Sequence, residues 1–226
     1  MPSRKPNNQP IPAMKKVFLF LALLSITGRI QSVFAAEVDP LGETERKAGF
    51  RPLLNDKGLT GWKLRNPNGH PSWSVKNGVL VNDAGKEHGT DLVTEEKFKD
   101  FTIRCEYMIP KGANSGLYLR GRHEIQIVDD YEKGQPSKGG NGAIYNQTPV
   151  SQFASKKAGE WQTVEATIQG NKVTVILNGV KVHDHVESAK PTGGELDGDV
   201  NAPGPILLQG DHGSVSFRNI RIKELK

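Results

Sequence analysis

The sequence predicts an all-β protein, a sandwich of two antiparallel sheets. Three observations carry that prediction. From Phe50 onward, apolar and polar residues alternate in short runs, the period-two pattern of strands buried on one face. The runs are broken by Lys76-Asn77-Gly78, Gly170-Asn171 and Asn178-Gly179, whose left-handed backbone preference suits tight antiparallel hairpins. No stretch of a dozen residues shows a helical period, so the crossover helices of a parallel sheet are missing. Roughly ten short strands at this spacing fit two stacked sheets.

The predicted strands follow in order. Segments 73–75 and 79–81 form a hairpin about Asn77-Gly78. Segment 101–108 alternates most clearly: Phe101, Ile103, Cys105 and Tyr107 share one face, which puts the single cysteine in the core as a small hydrophobe. Segments 116–120 and 123–128 pair through Gly121-Arg122. Segments 163–169, 172–177 and 180–185 form a meander, with 206–209 and 215–224 closing the chain. Parity breaks near Asn219, which predicts a bulge. Two long glycine-rich loops, 131–143 and 193–205, are candidates for the rim of a site.

The N-terminal segment reads as an address. Lys15 and Lys16 precede the apolar run 17–24, and small residues end in Ala35-Ala36. A basic region, a short apolar region and a small-residue cleavage site make residues 1–36 a bacterial signal peptide, too short to span a bilayer. Met14 would also serve as a start. The expected plan is a signal peptide at 1–36, a linker at 37–49 and one β-sandwich domain at 50–226, working in the periplasm or secreted. The net charge of +5 belongs to that first segment, whose Arg4, Lys5, Lys15, Lys16 and Arg29 face no acid. The remainder is neutral, which removes the electrostatic case for a nucleic-acid partner. One cysteine excludes an internal disulfide.

Polar side chains collect along one hairpin. If Leu117, Leu119, Ile125 and Ile127 face the core, then Tyr118, Arg120, Glu124 and Gln126 share the opposite face. Gln209 takes the parity of Leu207 rather than that of Ile206 and Leu208. Acid, guanidinium, amide and phenol together suit a carbohydrate, since amides and Arg bind hydroxyls in pairs and rings cover a sugar's apolar face. A polar outer face with an Arg120–Glu124 cross-strand pair is the plain structural alternative. Other chemistries are weaker. His183 and His185 have no third ligand nearby. Residues 197–201 offer oxygens at alternate positions for calcium but lack a closing acid. Residues 139–142 are not a phosphate loop, and Asn114-Ser115-Gly116 is not a nucleophile elbow.

A series of motifs then points to a family. Phe50-Arg-Pro-Leu-Leu-Asn opens it, ending at Gly61-Trp62, followed by Trp73-Ser-Val-Lys-Asn-Gly-Val-Leu80 and Asp91-Leu-Val-Thr94. Ala113-Asn-Ser-Gly-Leu117 and Leu119-Arg120 come next, then Glu124-Ile-Gln-Ile127 with Asp129, and Gly142-Ala-Ile-Tyr145. Gly159-Glu-Trp161, Leu177-Asn-Gly179, Gly204-Pro-Ile-Leu-Leu-Gln209 and Val215-Ser-Phe-Arg-Asn-Ile220 complete it. In this order they resemble the 3-keto-disaccharide hydrolase domain family across nearly all of 50–226. The chain departs from that pattern at Gln209-Gly-Asp-His-Gly213, where the family more often has one residue between Gln and His.

The resemblance implies a concanavalin A-like jelly roll and action on glycosides oxidised to a ketone at carbon 3. Such a ketone acidifies the carbon 2 hydrogen, so a base can start β-elimination of the group on carbon 1, and water adding back gives net hydrolysis. The implied roles are Glu124 as base or metal ligand, His212 as general acid, and Arg120 and Gln126 orienting the sugar or stabilising the enolate. Asn114, Tyr118, Tyr145 and Gln209 would bind the sugar, and Asp129 would tie a loop. A divalent cation such as calcium is compatible but not demanded, and a separate oxidoreductase would supply the ketone. A retaining glucanase would need a second carboxyl about 5–5.5 Å from the first; the hairpin carries Gln126 and Val128 where one would stand. A non-catalytic lectin-like binding module, an ordinary glycoside hydrolase and an interaction domain of a larger complex remain the alternatives.

Overall fold

The computed structural model describes residues 41–55, 58–85 and 88–226. The proposed signal peptide lies outside the described residues. The strands are β1 (Arg51–Pro52), β2 (Trp62–Leu64), β3 (Trp73–Lys76), β4 (Val79–Asn82), β5 (Leu92–Thr94), β6 (Phe101–Met108) and β7 (Asn114–Leu119). They continue with β8 (His123–Val128), β9 (Gln162–Gln169), β10 (Lys172–Leu177), β11 (Val180–Glu187), β12 (Leu207–Leu208) and β13 (Val215–Glu224). One sheet runs β11-β10-β9-β6-β13-β4-β3, with β1 also on β13; the other runs β2-β5-β12-β7-β8. All pairings are antiparallel, and the fold is a two-sheet jelly-roll sandwich of the concanavalin A-like type.

Alternation builds the core as expected. Phe101, Ile103, Cys105 and Tyr107 from β6 meet Val164, Ala166 and Ile168 from β9 and Val173, Val175 and Leu177 from β10. Leu92, Leu117, Leu119, Ile125, Ile127 and Leu208 close the core from the other sheet. Burial pushes the Cys105 thiol up to about 12, so it stays protonated and inert. At Asn219 the backbone turns left-handed (φ 52°) and the β13–β6 register shifts. That bulge lets Phe217 before it and Ile220 and Ile222 after it all face inward. It also divides one edge of β13 between β4 at residues 215–218 and β1 at 221–222.

Three short strands escaped the sequence reading: β1, β2 and β5 are too brief to show alternation. Part of the expected linker is also ordered. A five-residue helix, α1 (Glu43–Lys47), is held on the eight-stranded sheet by Glu45, which accepts from Arg104 (2.8 Å) and Arg221 (2.7 Å). Among the described residues, no helix is long and apolar enough to cross a membrane.

Candidate active site

The site is built on the face of the five-stranded sheet turned away from the core. Antiparallel register places Lys63, Val93, Leu207, Tyr118 and Glu124 in one row across β2, β5, β12, β7 and β8. The next row holds Arg65, Asp91, Gln209, Gly116 and Gln126, joined by Arg65 N–H to Asp91 O, Gln209 N–H to Gly116 O, and the Gly116–Gln126 pair. Gly116 supplies the space. A Cβ there would overlap the Glu124 carboxyl and stand 2.9 Å from the Tyr118 ring. The missing side chain in the second row is therefore the hollow into which Glu124 reaches.

Glu124 is only 2% exposed. Its main surroundings are polar. The Tyr118 hydroxyl is hydrogen-bonded to its carboxyl, and the carboxylates of Asp91 and Asp211 act on it electrostatically. Burial pushes the Glu124 pKa up to about 8; the two acids add to that, and the Tyr118 hydrogen bond opposes it. Burial likewise holds the Tyr118 phenol protonated, well above its ordinary value, with Glu124 reinforcing the effect. A carboxyl poised near neutrality beside a neutral phenol is suited to proton abstraction.

Asn114 and Gln209 border the same hollow from the Gly116 side. Their side-chain oxygens, Asn114 Oδ1 and Gln209 Oε1, are buried and have no hydrogen-bond partner among the described residues. Each unpaired acceptor costs about 1–3 kcal/mol unless something donates to it. Gln126 differs: its Oε1 accepts from Ile127 N–H (3.0 Å), which fixes the amide and leaves its NH2 as a donor. Tyr145 joins Glu124 through the backbone, N–H to carbonyl (3.0 Å), with its ring between Gly139 and Gly193 at the two long loops. His212 is about half exposed, and its Nδ1 pairs with the Asp211 carboxylate. Asp129 lies apart from Glu124 and accepts from Gly112 N–H (2.8 Å), tying a loop.

Arg120 does not join this group. The hairpin turn is centred on Arg120-Gly121, not Gly121-Arg122, with φ of 55° and 66°. That left-handed pair ends β7 at Leu119 and swings the Arg120 side chain off the strand face. Its guanidinium is buried, donating to Lys99 O (2.5 Å), Val200 O (3.0 Å) and Asp100 Oδ1 (2.9 Å). The Arg120–Glu124 pairing expected from alternation is therefore absent, and Arg120 is a framework residue.

The loop 193–205 covers the site as a strap. Leu196 packs on Val93, Tyr118 and Leu207. Arg122 grips Asp197 through both carboxylate oxygens (2.6 and 2.7 Å), and Arg65 donates to Gly194 O (2.7 Å), Glu195 O (2.8 Å) and Asp91 Oδ2 (3.0 Å). Gly194 leaves room for the Tyr118 hydroxyl. Asp91, Asp211 and Arg65 were not singled out from the sequence. Asp91 heads a quoted motif, and its place follows only once β5 is put in register with β12.

Among the described residues, no three His, Cys, Asp or Glu side chains come together to hold a metal ion. In 197–201, Asp197 is held by Arg122 and by Asp199 N–H, and Asp199 by Asn201 N–H.

With this geometry in place, residues 49–223 match the model of the 3-keto-alpha-glucoside-1,2-lyase-like domain. The chain belongs to that family. A 3-keto-disaccharide hydrolase of Bacteroides thetaiotaomicron is 27% identical, over 86% of this chain and 85% of that protein. Two crystal structures of candidate glycosyl hydrolases from Parabacteroides distasonis superpose on it. One is 31% identical with a TM-score of 0.65, covering 79% of this chain and 84% of its own. The other is 26% identical with a TM-score of 0.68, covering 82% and 98%. Membership in the 3-keto-alpha-glucoside-1,2-lyase-like family gives the chain a carbohydrate-hydrolase-like character.

The glycine at 116 then yields a test. Gly116→Ala meets the Glu124 carboxyl, which can swing aside, and the buried Tyr118 ring at 2.9 Å, which must give by a few tenths of an ångström. We expect turnover to drop roughly a hundredfold, with the protein still folded and its melting temperature lowered. Unchanged turnover would show that the carboxyl does not need that hollow.

Proposed function

We propose that the protein cleaves 3-keto-glycosides by elimination and hydration, with Glu124 as base. The observation that carries the reading is a buried carboxyl with its pKa raised to about 8 and, among the described residues, no cation paired to it, beside two amide oxygens that find no donor among those residues. Sugar hydroxyls supply those donors to Asn114 and Gln209. We assign the Gln126 NH2 to polarising the ketone oxygen, in place of Arg120, whose guanidinium is committed to Lys99 O, Val200 O and Asp100. Tyr118 keeps Glu124 oriented, and Tyr145 offers a ring at the rim.

The steps balance without an oxidant. Glu124 takes the carbon 2 hydrogen as a proton, and its bonding pair becomes the carbon 1–carbon 2 double bond. The carbon 1–oxygen bond breaks, and the leaving oxygen takes a proton from His212, whose other ring nitrogen is held by Asp211. Water then adds its hydroxyl to carbon 1 and a proton to carbon 2. The reading implies a separate oxidoreductase that makes the ketone. We also infer work outside the cytoplasm, on the strength of the Lys15–Lys16, apolar and Ala35-Ala36 pattern.

The experiment incubates the full chain with a 3-keto-disaccharide and with its unoxidised parent across a pH series. Since the base must be deprotonated, kcat/KM should rise with pH on a limb near 8, and since the proton donor must still hold its proton, the profile should turn down again on the alkaline side. Cleavage of the parent at a comparable rate would favour ordinary glycoside hydrolysis. Binding of the ketone without cleavage would favour a lectin-like module.

A further inference from the structure

Asp211 and His212 stand on a short turn, 210–213, between β12 and β13, and that turn is fastened from below by one side chain. Asn82, fully buried at the end of β4, donates from Nδ2 to Gly210 O (2.9 Å) and to Gly213 O (2.8 Å). Its own Oδ1 accepts from Ser72 Oγ, which fixes which way the amide points. A carboxylate has no donor and a hydroxyl has one, so neither Asp nor Ser could hold both carbonyls. Two further contacts support the same turn: Gly210 N–H donates to Asp91 Oδ1 (3.0 Å), and His88 Nδ1 meets Asp211 O (2.7 Å). The backbones are in close approach, since a Cβ on Gly89 would stand 2.6 Å from Gly210 O.

We propose that Asn82 is a positioning residue for the reaction: by clamping both ends of the 210–213 turn it holds Asp211 beside Glu124 and His212 at the mouth of the site. The inference rests on the reading of Glu124 as base. Charged and titratable groups around Glu124 are Tyr118 from β7, Asp91 before β5 with Arg65 from the end of β2, and Asp211 with His212 from the turn. Of these, Asp211 and His212 ride on the clamped segment. Loosening the clamp moves Asp211's negative charge away from Glu124, which makes the carboxyl easier to ionise.

The test measures kcat and KM against pH on a 3-keto-disaccharide for wild type, Asn82→Ala, Ser72→Ala, Asp211→Asn and the Asn82→Ala/Asp211→Asn pair. Asn82→Ala should lower kcat about tenfold, change KM less than kcat, and shift the rising limb of the profile to lower pH. Asp211→Asn should shift the limb the same way. In the pair the two shifts should not add, because both act through one carboxylate. A folded Asn82→Ala with an unmoved limb, or shifts that add fully, overturns the proposal. Should Asn82→Ala fail to fold, Ser72→Ala decides: a smaller shift in the same direction supports the clamp, and no shift overturns it. Glu124→Gln separates the two claims. Full activity there defeats the base assignment itself; loss of activity there with an unmoved limb in the clamp variants defeats only the clamp.

Discussion

Glu124→Gln is expected to lower turnover of a 3-keto-glycoside about a thousandfold while leaving the protein folded. The amide keeps the shape of the carboxyl and a hydrogen bond to Tyr118, but it cannot take the carbon 2 proton. Stability should move the other way at high pH. The folded carboxyl titrates near 8, against an ordinary value of 4.5. Between those values the folded chain holds a proton that the unfolded chain releases. Its contribution is fully present below the unfolded value and is lost as pH rises through the folded one. Gln carries no such dependence, so above about pH 8 the variant should be more stable than wild type. Denaturant titrations at acid and alkaline pH check this. Unchanged turnover, or a variant destabilised alike at every pH, would contradict the account of this carboxyl.

Arg120→Ala is expected to produce the largest loss of stability, roughly 3–5 kcal/mol. The guanidinium is 1% exposed and holds Asp100, Lys99 O and Val200 O together at the β7–β8 turn. Its removal takes a charged donor from two carbonyls and from Asp100, which keeps Gly170 N–H (2.8 Å). A fall of about 10 °C in melting temperature corresponds to that loss. Lys should rescue it poorly, because one ammonium cannot reproduce the three-way fork. Near-normal stability with abolished turnover would return Arg120 to the catalytic group.

The difference between these two residues shows where sequence reading reached and where it stopped. Long strands declared themselves: β6, β8, β10 and β13 have the expected bounds, and the broken parity at Asn219 is a bulge. That Tyr118 and Glu124 share the outer face followed from alternation with a hairpin between their strands; their direct pairing comes from the register set by the actual turn. Arg120 failed because parity holds only while the strand continues, and a left-handed turn one residue early redirects a side chain altogether. Asp91, Arg65 and Asp211 were hidden for another reason. Asp91 and Asp211 reach Glu124 from the ends of β5 and β12, and Arg65 reaches Asp91 from the end of β2, strands of two or three residues whose neighbours are set by register across the sheet. The unpaired oxygens of Asn114 and Gln209 are a property of the folded interior, which no local pattern records.

The central claim is that the carbon 2 hydrogen leaves the sugar as the bond at carbon 1 breaks. Cleavage of a 3-keto-disaccharide in heavy water, with carbon 2 of the product followed by NMR and an enzyme-free control beside it, measures that directly. The account predicts solvent deuterium at carbon 2 with wild type and neither deuterium nor cleavage with Glu124→Gln. Rapid cleavage that keeps the original hydrogen at carbon 2 would contradict it.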